Sequence, residues 1–168
     1  DVCRGFGSRR DNLIDYTACE TYQLWGAVAL SDPVWMNGAY AEYVQVPFNG
    51  LLHRIDDDVT DDEAILLEPL SVGVKAVLKA GVSIGDVVLV EGPGPIGMAC
   101  AIAASQAGAT HVIVTGVDGD ESRLALAMEL GATNTINVMK ENALEKLPRL
   151  TGGRKAERVR ERLPAIKM

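Results

Sequence analysis

Residues 87–97 read Val-Val-Leu-Val-Glu-Gly-Pro-Gly-Pro-Ile-Gly, and they leave the chain few choices. Val87 to Val90 are four apolar residues in a row, as a strand buried on both faces requires. A G-x-G-x-x-G turn follows at once, and its last glycine already lies in a helix predicted over Pro95–Ala107. A second strand, His111–Thr115, comes next. Parallel strands need such a crossover, because a tight hairpin joins only antiparallel ones. In this setting each glycine has a role. Gly92 permits the tight turn, Gly94 lets a pyrophosphate approach the backbone, and Gly97 lets the helix pack close to the sheet. Pro95 suits a first helical turn, where its missing N–H is not needed. With Ile96, these residues form the N-terminus of a helix, whose unpaired N–H groups and positive dipole end attract phosphate. The pattern therefore points to a dinucleotide site, and an unliganded glycine turn in the same sheet is the alternative.

The rest of the chain repeats the alternation. A helix over Glu121–Leu130 ends at Gly131, a strand covers Asn134–Val138, and a helix covers Lys140–Leu147. The order β-α-β-α-β-α implies a parallel sheet with helices packed on it, an α/β fold. Upstream, Ala39–Val46 alternates and is rich in aromatic and β-branched residues, and Gly50–Ile55 is a second short apolar run; both read as strands. Thr60 and Glu63 make a capping box, so the acidic run Asp56 to Glu63 starts a helix and is no calcium loop. That helix must bend or break at Pro69. Another, over Val72–Ala80, ends at Gly81. Residues 1–37 show no sustained period and read as an irregular lobe.

Composition narrows the function classes. With 48% hydrophobic residues the chain can bury a core. No apolar run approaches the ~20 residues that span a bilayer. Residues 151–168 hold six Lys/Arg and two Glu, a balance of +4 in a chain of net −7, which leaves −11 on the first 150 residues. An acidic body argues against nucleic acid as a partner. The basic end lacks aromatic interleaving and reads as a solvated tail. Three cysteines, Cys3, Cys19 and Cys100, show no close pairing, which fits a reducing cytoplasm. A start at Asp1 fits a processed or truncated chain.

Longer stretches carry a resemblance. They are Gly-Ala-Tyr-Ala-Glu-Tyr-Val-Gln-Val-Pro from Gly38, Leu-Leu-His-Arg-Ile from Leu51, Leu-Leu-Glu-Pro-Leu-Ser-Val from Leu66, residues 80–115, residues 123–138, and Leu-Thr-Gly-Gly ending at Gly153. Together they resemble the zinc-dependent medium-chain alcohol dehydrogenase superfamily, nearest its sorbitol and threonine dehydrogenase branches. The resemblance implies a mostly-β GroES-like catalytic domain ahead of a Rossmann domain. On it, residues 1–70 are part of the catalytic domain, 71–153 are the N-terminal half of the NAD(P)-binding domain, and 154–168 are a divergent basic tail. The chain is accordingly expected to be a fragment, truncated at both ends.

The resemblance also implies roles. The family's catalytic zinc lies between its two domains, and the ligands that come earliest in the family have no match here. Glu68 matches a glutamate that approaches the zinc directly or through water, a task suited to a carboxylate; on the residues alone it reads as an ordinary acid before a proline. The family's structural-zinc lobe has four cysteines. Cys19 matches the fourth, but Gly5, Ser8 and Asp11 fall at the others, so no structural zinc is expected. The family's ribose-binding acid, at the end of the second strand, is replaced by Gly116. Asp118 and Asp120 follow in a longer loop, and either reaches the ribose if the loop folds back. Arg123 matches a basic residue near the adenine ribose. NAD and NADP both stay open, with the acidic loop tilting toward NAD. His53 and His111 are poor substitutes for the missing zinc ligands.

The implied activity is hydride transfer between an alcohol or polyol and NAD(P), with zinc polarising the substrate oxygen, in a homo-oligomeric cytoplasmic enzyme. The chain by itself is expected not to turn over an alcohol. A non-catalytic nucleotide-binding or decayed partial protein is the alternative. A zinc-free quinone reductase relative is disfavoured by Glu68, which such a protein would not need.

Overall fold

The computed structural model describes residues 38–46, 52–154 and 158–159. The chain divides into two compact units, residues 1–54 and 55–168. In the first, residues 38–43 are a series of bends and 44–46 have no regular structure. The strand expected over Ala39–Val46 is not formed, nor is the one expected over Gly50–Ile55 among its described residues. Alternation nominates a strand, but only ladder hydrogen bonds to a neighbour make one. No strand among the described residues pairs with either segment. The expected GroES-like part otherwise lies outside the described residues.

The second unit is α/β. Its elements are α1 (Asp61–Ala64), α2 (Leu67–Ala80), β1 (Val87–Glu91), α3 (Pro95–Gln106), β2 (His111–Gly116), α4 (Glu121–Glu129), β3 (Asn134–Asn137), α5 (Ala143–Leu150) and β4 (Arg158–Val159). The strands form a parallel sheet in the order β3-β2-β1-β4. Alternate residues of each strand face opposite sides, and the sequence fills both. Val88 and Val90 of β1 with Val112 and Val114 of β2 pack under Val77 of α2, Met98, Ala101 and Ala104 of α3, and Leu124 and Ala127 of α4. Val87, Leu89, Ile113 and Ile136 pack on the other face against Leu147 of α5. A strand covered on both faces must be apolar at every position, which is what Val87 to Val90 offer. The small residues of α3 let α2 come close. A Cβ at Gly73 would lie 2.6 Å from Ala99, so this position accepts only glycine at the observed spacing.

Caps decide most boundaries. Thr60 and Glu63 form the expected capping box, with the Glu63 N–H donating to Thr60 Oγ1 and the Thr60 N–H to Glu63 Oε2. Gly81 closes α2 in the left-handed region at φ 61°. The break expected at Pro69 falls one turn earlier, at Ile65–Leu66, and Pro69 sits in the first turn of α2. The proline ring collides with the carbonyl four residues back, that of Ile65, and not with its own turn. α5 also starts later than expected, at Ala143 in place of Lys140. The Lys140 and Glu141 N–H groups turn back to the Asn137 carbonyl, and Asn142 is the N-cap. Residues 154–168, expected to diverge into a tail, contribute β4. Its register pairs Val88 with Arg158 and Leu89 with Val159. Backbone pairing over two residues makes no demand on side-chain polarity.

Candidate dinucleotide site

Three segments lie side by side at the carboxyl edge of the sheet: the glycine turn after β1, residues 117–120 after β2, and residues 138–142 after β3. Two hydrogen bonds tie them together. The Gly92 N–H donates to the Thr115 carbonyl at 3.0 Å, and the Val138 N–H donates to the Gly116 carbonyl at 2.9 Å. Ligands of open α/β sheets bind at this edge.

The three glycines of the turn have different reasons to be there. Gly92 takes φ +93°, which a side chain rarely adopts. At Gly97 a Cβ would stand 2.0 Å from the Gly92 carbonyl oxygen, so the turn and α3 can approach only without it. Gly94 is the N-cap of α3 with φ −77° and ψ 176°, a conformation open to any residue, and a Cβ there would meet nothing within 4 Å. The fold therefore needs Gly92 and Gly97 but not Gly94. Pro95 is the first residue of α3, as expected, and the ladder begins with the Met98 N–H donating to the Gly94 carbonyl at 2.9 Å. Among the described residues, the N–H groups of Ile96 and Gly97 have no acceptor. Two unpaired donors and a positive helix end beside an open glycine suit an anion.

The loop after β2 holds the two acids proposed for the ribose. Gly116 is buried at the end of β2, and a Cβ there would press on the Leu124 side chain of α4 at 3.1–3.2 Å. An acid in that slot would need the Leu124 side chain to give by a few tenths of an ångström; the carboxylates present, Asp118 and Asp120, lie further along the loop. Their situations differ. Asp120 uses both oxygens internally: Oδ2 accepts from the Val117 N–H at 3.1 Å and Oδ1 from Arg123 Nη1 at 3.2 Å. Its side chain is only 14% exposed. It closes the loop and pairs with Arg123, so both of its oxygens are engaged within the loop. Asp118 is 60% exposed at the side chain. Its Oδ1 accepts from Asn137 Nδ2 at 2.8 Å and from Lys140 Nζ at 3.0 Å. The Asn137 hydrogen bond, and then Lys140, hold the Asp118 carboxyl below the usual aspartate range. Asp118 in turn raises Lys140. Asn137 and Lys140 have no signature in the sequence; only the pairing of β3 with β2 brings them to this loop.

Glu68 is exposed, at the second position of α2; Ser71 Oγ donates to its main-chain oxygen at 2.7 Å. Among the described residues no group of three or more His, Cys, Asp or Glu side chains could hold a metal ion, so the residues described do not make a zinc site. His53 is exposed on irregular chain, and His111 begins β2 opposite Val87. Cys100 lies in α3. The Cys3, Cys19, Gly5, Ser8 and Asp11 register lies outside the described residues. No helix of the described residues is long and apolar enough to cross a membrane.

Comparison with known proteins agrees with this architecture. A zinc-binding dehydrogenase family model matches residues 95–164, which extends the likeness past Gly153 and across β4. The L-threonine 3-dehydrogenase of Shewanella pealeana is 42% identical over 106 residues, which is 62% of this chain and 30% of that protein. Among solved structures, zinc dependent alcohol dehydrogenase 2 from Streptococcus pneumonia superposes with a TM-score of 0.64 at 32% identity, over 73% of this chain and 35% of that one. An Escherichia coli oxidoreductase/dehydrogenase of unknown specificity superposes with a TM-score of 0.58 at 35% identity, over 62% of this chain and 30% of that one. A Rossmann-like parallel sheet, a glycine turn of this geometry and this level of identity make the chain similar to one class, the zinc-binding medium-chain dehydrogenase family. It spans about a third of the length of the relatives it matches.

Proposed function

We propose that this chain binds NAD(H) or NADP(H) across the carboxyl edge of its sheet, as part of an oxidoreductase that transfers hydride between an alcohol or polyol and the cofactor. The pyrophosphate lies against Gly92, Gly94 and Gly97, with Pro95 and Ile96 at the head of α3, and the adenosine ribose lies toward Asp118 and Arg123. The observation that carries this reading is the contrast within the turn: Gly94, which the fold does not need, faces open space beside the unpaired Ile96 and Gly97 N–H groups. Residues 1–70 serve the catalytic side of the whole enzyme and 71–153 the cofactor side. Glu68 is the described residue suited to a catalytic zinc, which would polarise the substrate oxygen; the described residues do not supply its companions. The relatives named for L-threonine support a substrate that carries a secondary alcohol, and a homo-oligomer is the assembly proposed for the whole enzyme.

Calorimetric titration with NADH and NADPH tests the cofactor claim. The chain is expected to bind at least one of them, and Gly94→Val to lose most of that affinity with its melting temperature kept. Unchanged affinity in the variant would sink the phosphate-cradle reading. Binding without oxidation of an alcohol or polyol is the result expected of this chain by itself, and steady oxidation with zinc supplied would overturn that expectation.

A further inference from the structure

The two acids after β2 are not equivalent, and the difference concerns which atoms are left over. Asp120 has a donor on each oxygen. Asp118 has both of its donors, Asn137 Nδ2 and Lys140 Nζ, on the same oxygen, Oδ1. Its Oδ2 accepts no hydrogen bond from the described residues. A carboxylate anchored through one oxygen and bare at the other is a directed acceptor. Its anchor is indirect. The Val138 N–H bonds the Gly116 carbonyl and sets the loop after β3 beside the loop after β2. That contact brings Asn137, the last residue of β3, and Lys140, three positions on, to a residue 19 positions earlier in the case of Asn137.

We propose that Asn137 and Lys140 are positioning residues that orient Asp118 so that its Oδ2 receives the 2′-hydroxyl of an adenosine ribose, in place of an acid at Gly116. The inference rests on the dinucleotide reading above. It adds that the diol contact is built by the loop after β3, not by the loop that carries the acid. Asn137 fixes the carboxylate plane with a donor that has no charge. Lys140 adds a charge-assisted bond, stronger than a neutral one, and is itself held by Glu121 Oε1 at 3.6 Å. Without them Asp118 is one of several side chains on an exposed loop, and ordering it on binding would oppose affinity.

The test separates ribose recognition from general nucleotide binding. ADP and 2′-deoxy-ADP are titrated into the chain and into Asp118→Asn, Asn137→Leu, Lys140→Met, Lys140→Arg and Asp120→Asn, with melting temperatures recorded alongside. The unsubstituted chain is expected to prefer ADP by about tenfold, in line with one hydrogen bond to a charged group. Asp118→Asn, Asn137→Leu and Lys140→Met should each cut that preference to threefold or less, the ratio cancelling whatever the changed charge of Asp118→Asn and Lys140→Met does to both nucleotides. Lys140→Arg, which keeps a cation, and Asp120→Asn should retain most of it. An undiminished preference in Asn137→Leu and Lys140→Met, or an equal loss in Asp120→Asn, overturns the positioning role while leaving the cofactor reading intact. Failure of the unsubstituted chain to bind either nucleotide overturns both.

Discussion

Gly97 and Gly94 stand three residues apart and should behave as opposites. A Cβ at Gly97 collides with a backbone oxygen of the turn, which has no flexible end to swing away. Gly97→Ala is expected to lower stability by about 1–3 kcal/mol, the usual range for overpacking a close contact. Urea denaturation measures it, and a loss well under that range would mean that the turn yields. Gly94→Ala meets no atom and leaves stability unchanged in the same assay. The Asp118–Lys140 pair makes a second prediction at this scale. Folding lowers the pKa of Asp118, so its contribution to stability is present above the unfolded aspartate value and is lost as pH falls through the lower folded value. Folding raises the pKa of Lys140, so its contribution is present below the unfolded lysine value and is lost as pH rises through the folded one. In Lys140→Met the Asp118 carboxyl should titrate higher, yet stay below the ordinary value because the Asn137 bond is the larger cause. A carboxyl-detected NMR titration reads this directly; an unmoved Asp118 would show that the ion pair is not formed in solution.

Helix ends obey local rules that survive the fold. α1 has four residues and buries none of them, so its cap carries much of its stability. Thr60→Ala removes the hydroxyl that accepts the Glu63 N–H, and about 1 kcal/mol is expected to go with it. The loss should be confined to α1, seen as faster amide exchange at Glu63 and Ala64 with β1 and β2 unaffected. Uniform acceleration through the sheet would mean that α1 is part of the cooperative core. α2 shows the limit of reading a proline where it stands. Pro69 breaks the chain at Ile65–Leu66 because its steric conflict is with the turn before it. α5 shows the limit of hydrophobic period, since its start is set by the Asn142 cap and by two N–H groups drawn back to Asn137.

At the scale of the molecule, the net charge of −7 and the local geometry pull in different directions. The head of α3, with Arg123 of α4 and Lys140 of the loop after β3, favours an anion at short range. The acidic body repels the same anion at long range. Salt screens the long-range part first, since exposed charges farther apart than ~8–10 Å are screened near physiological ionic strength. Association of NADH should therefore speed up, by up to a few-fold, as salt rises from about 10 mM to about 150 mM. Stopped-flow fluorescence gives the rate, and a steep fall over that range would show that the site's own cations dominate encounter.

The strand-turn-helix of Val87–Gly97 was legible from the chain alone because every level agreed on it: a run of apolar residues that a two-sided sheet requires, a proline at the first helical position, glycines where no side chain fits. The same holds for the capping box at Thr60, the glycine after α2 and the alternation of strands and helices from Val87 to Leu150. These are short-range facts, and local chemistry decides them. Gly73 against Ala99, Leu124 against Gly116, and the pairing of Asp118 with Asn137 and Lys140 were decided only by tertiary structure. So was the failure of Ala39–Val46 to form a strand, since its alternation needs a partner to become a ladder. Each depends on segments distant in the chain being brought to one place by sheet order β3-β2-β1-β4. A sequence displays which side chains are available, but it does not display which lone pair of Asp118 is left unused once β3 has paired with β2.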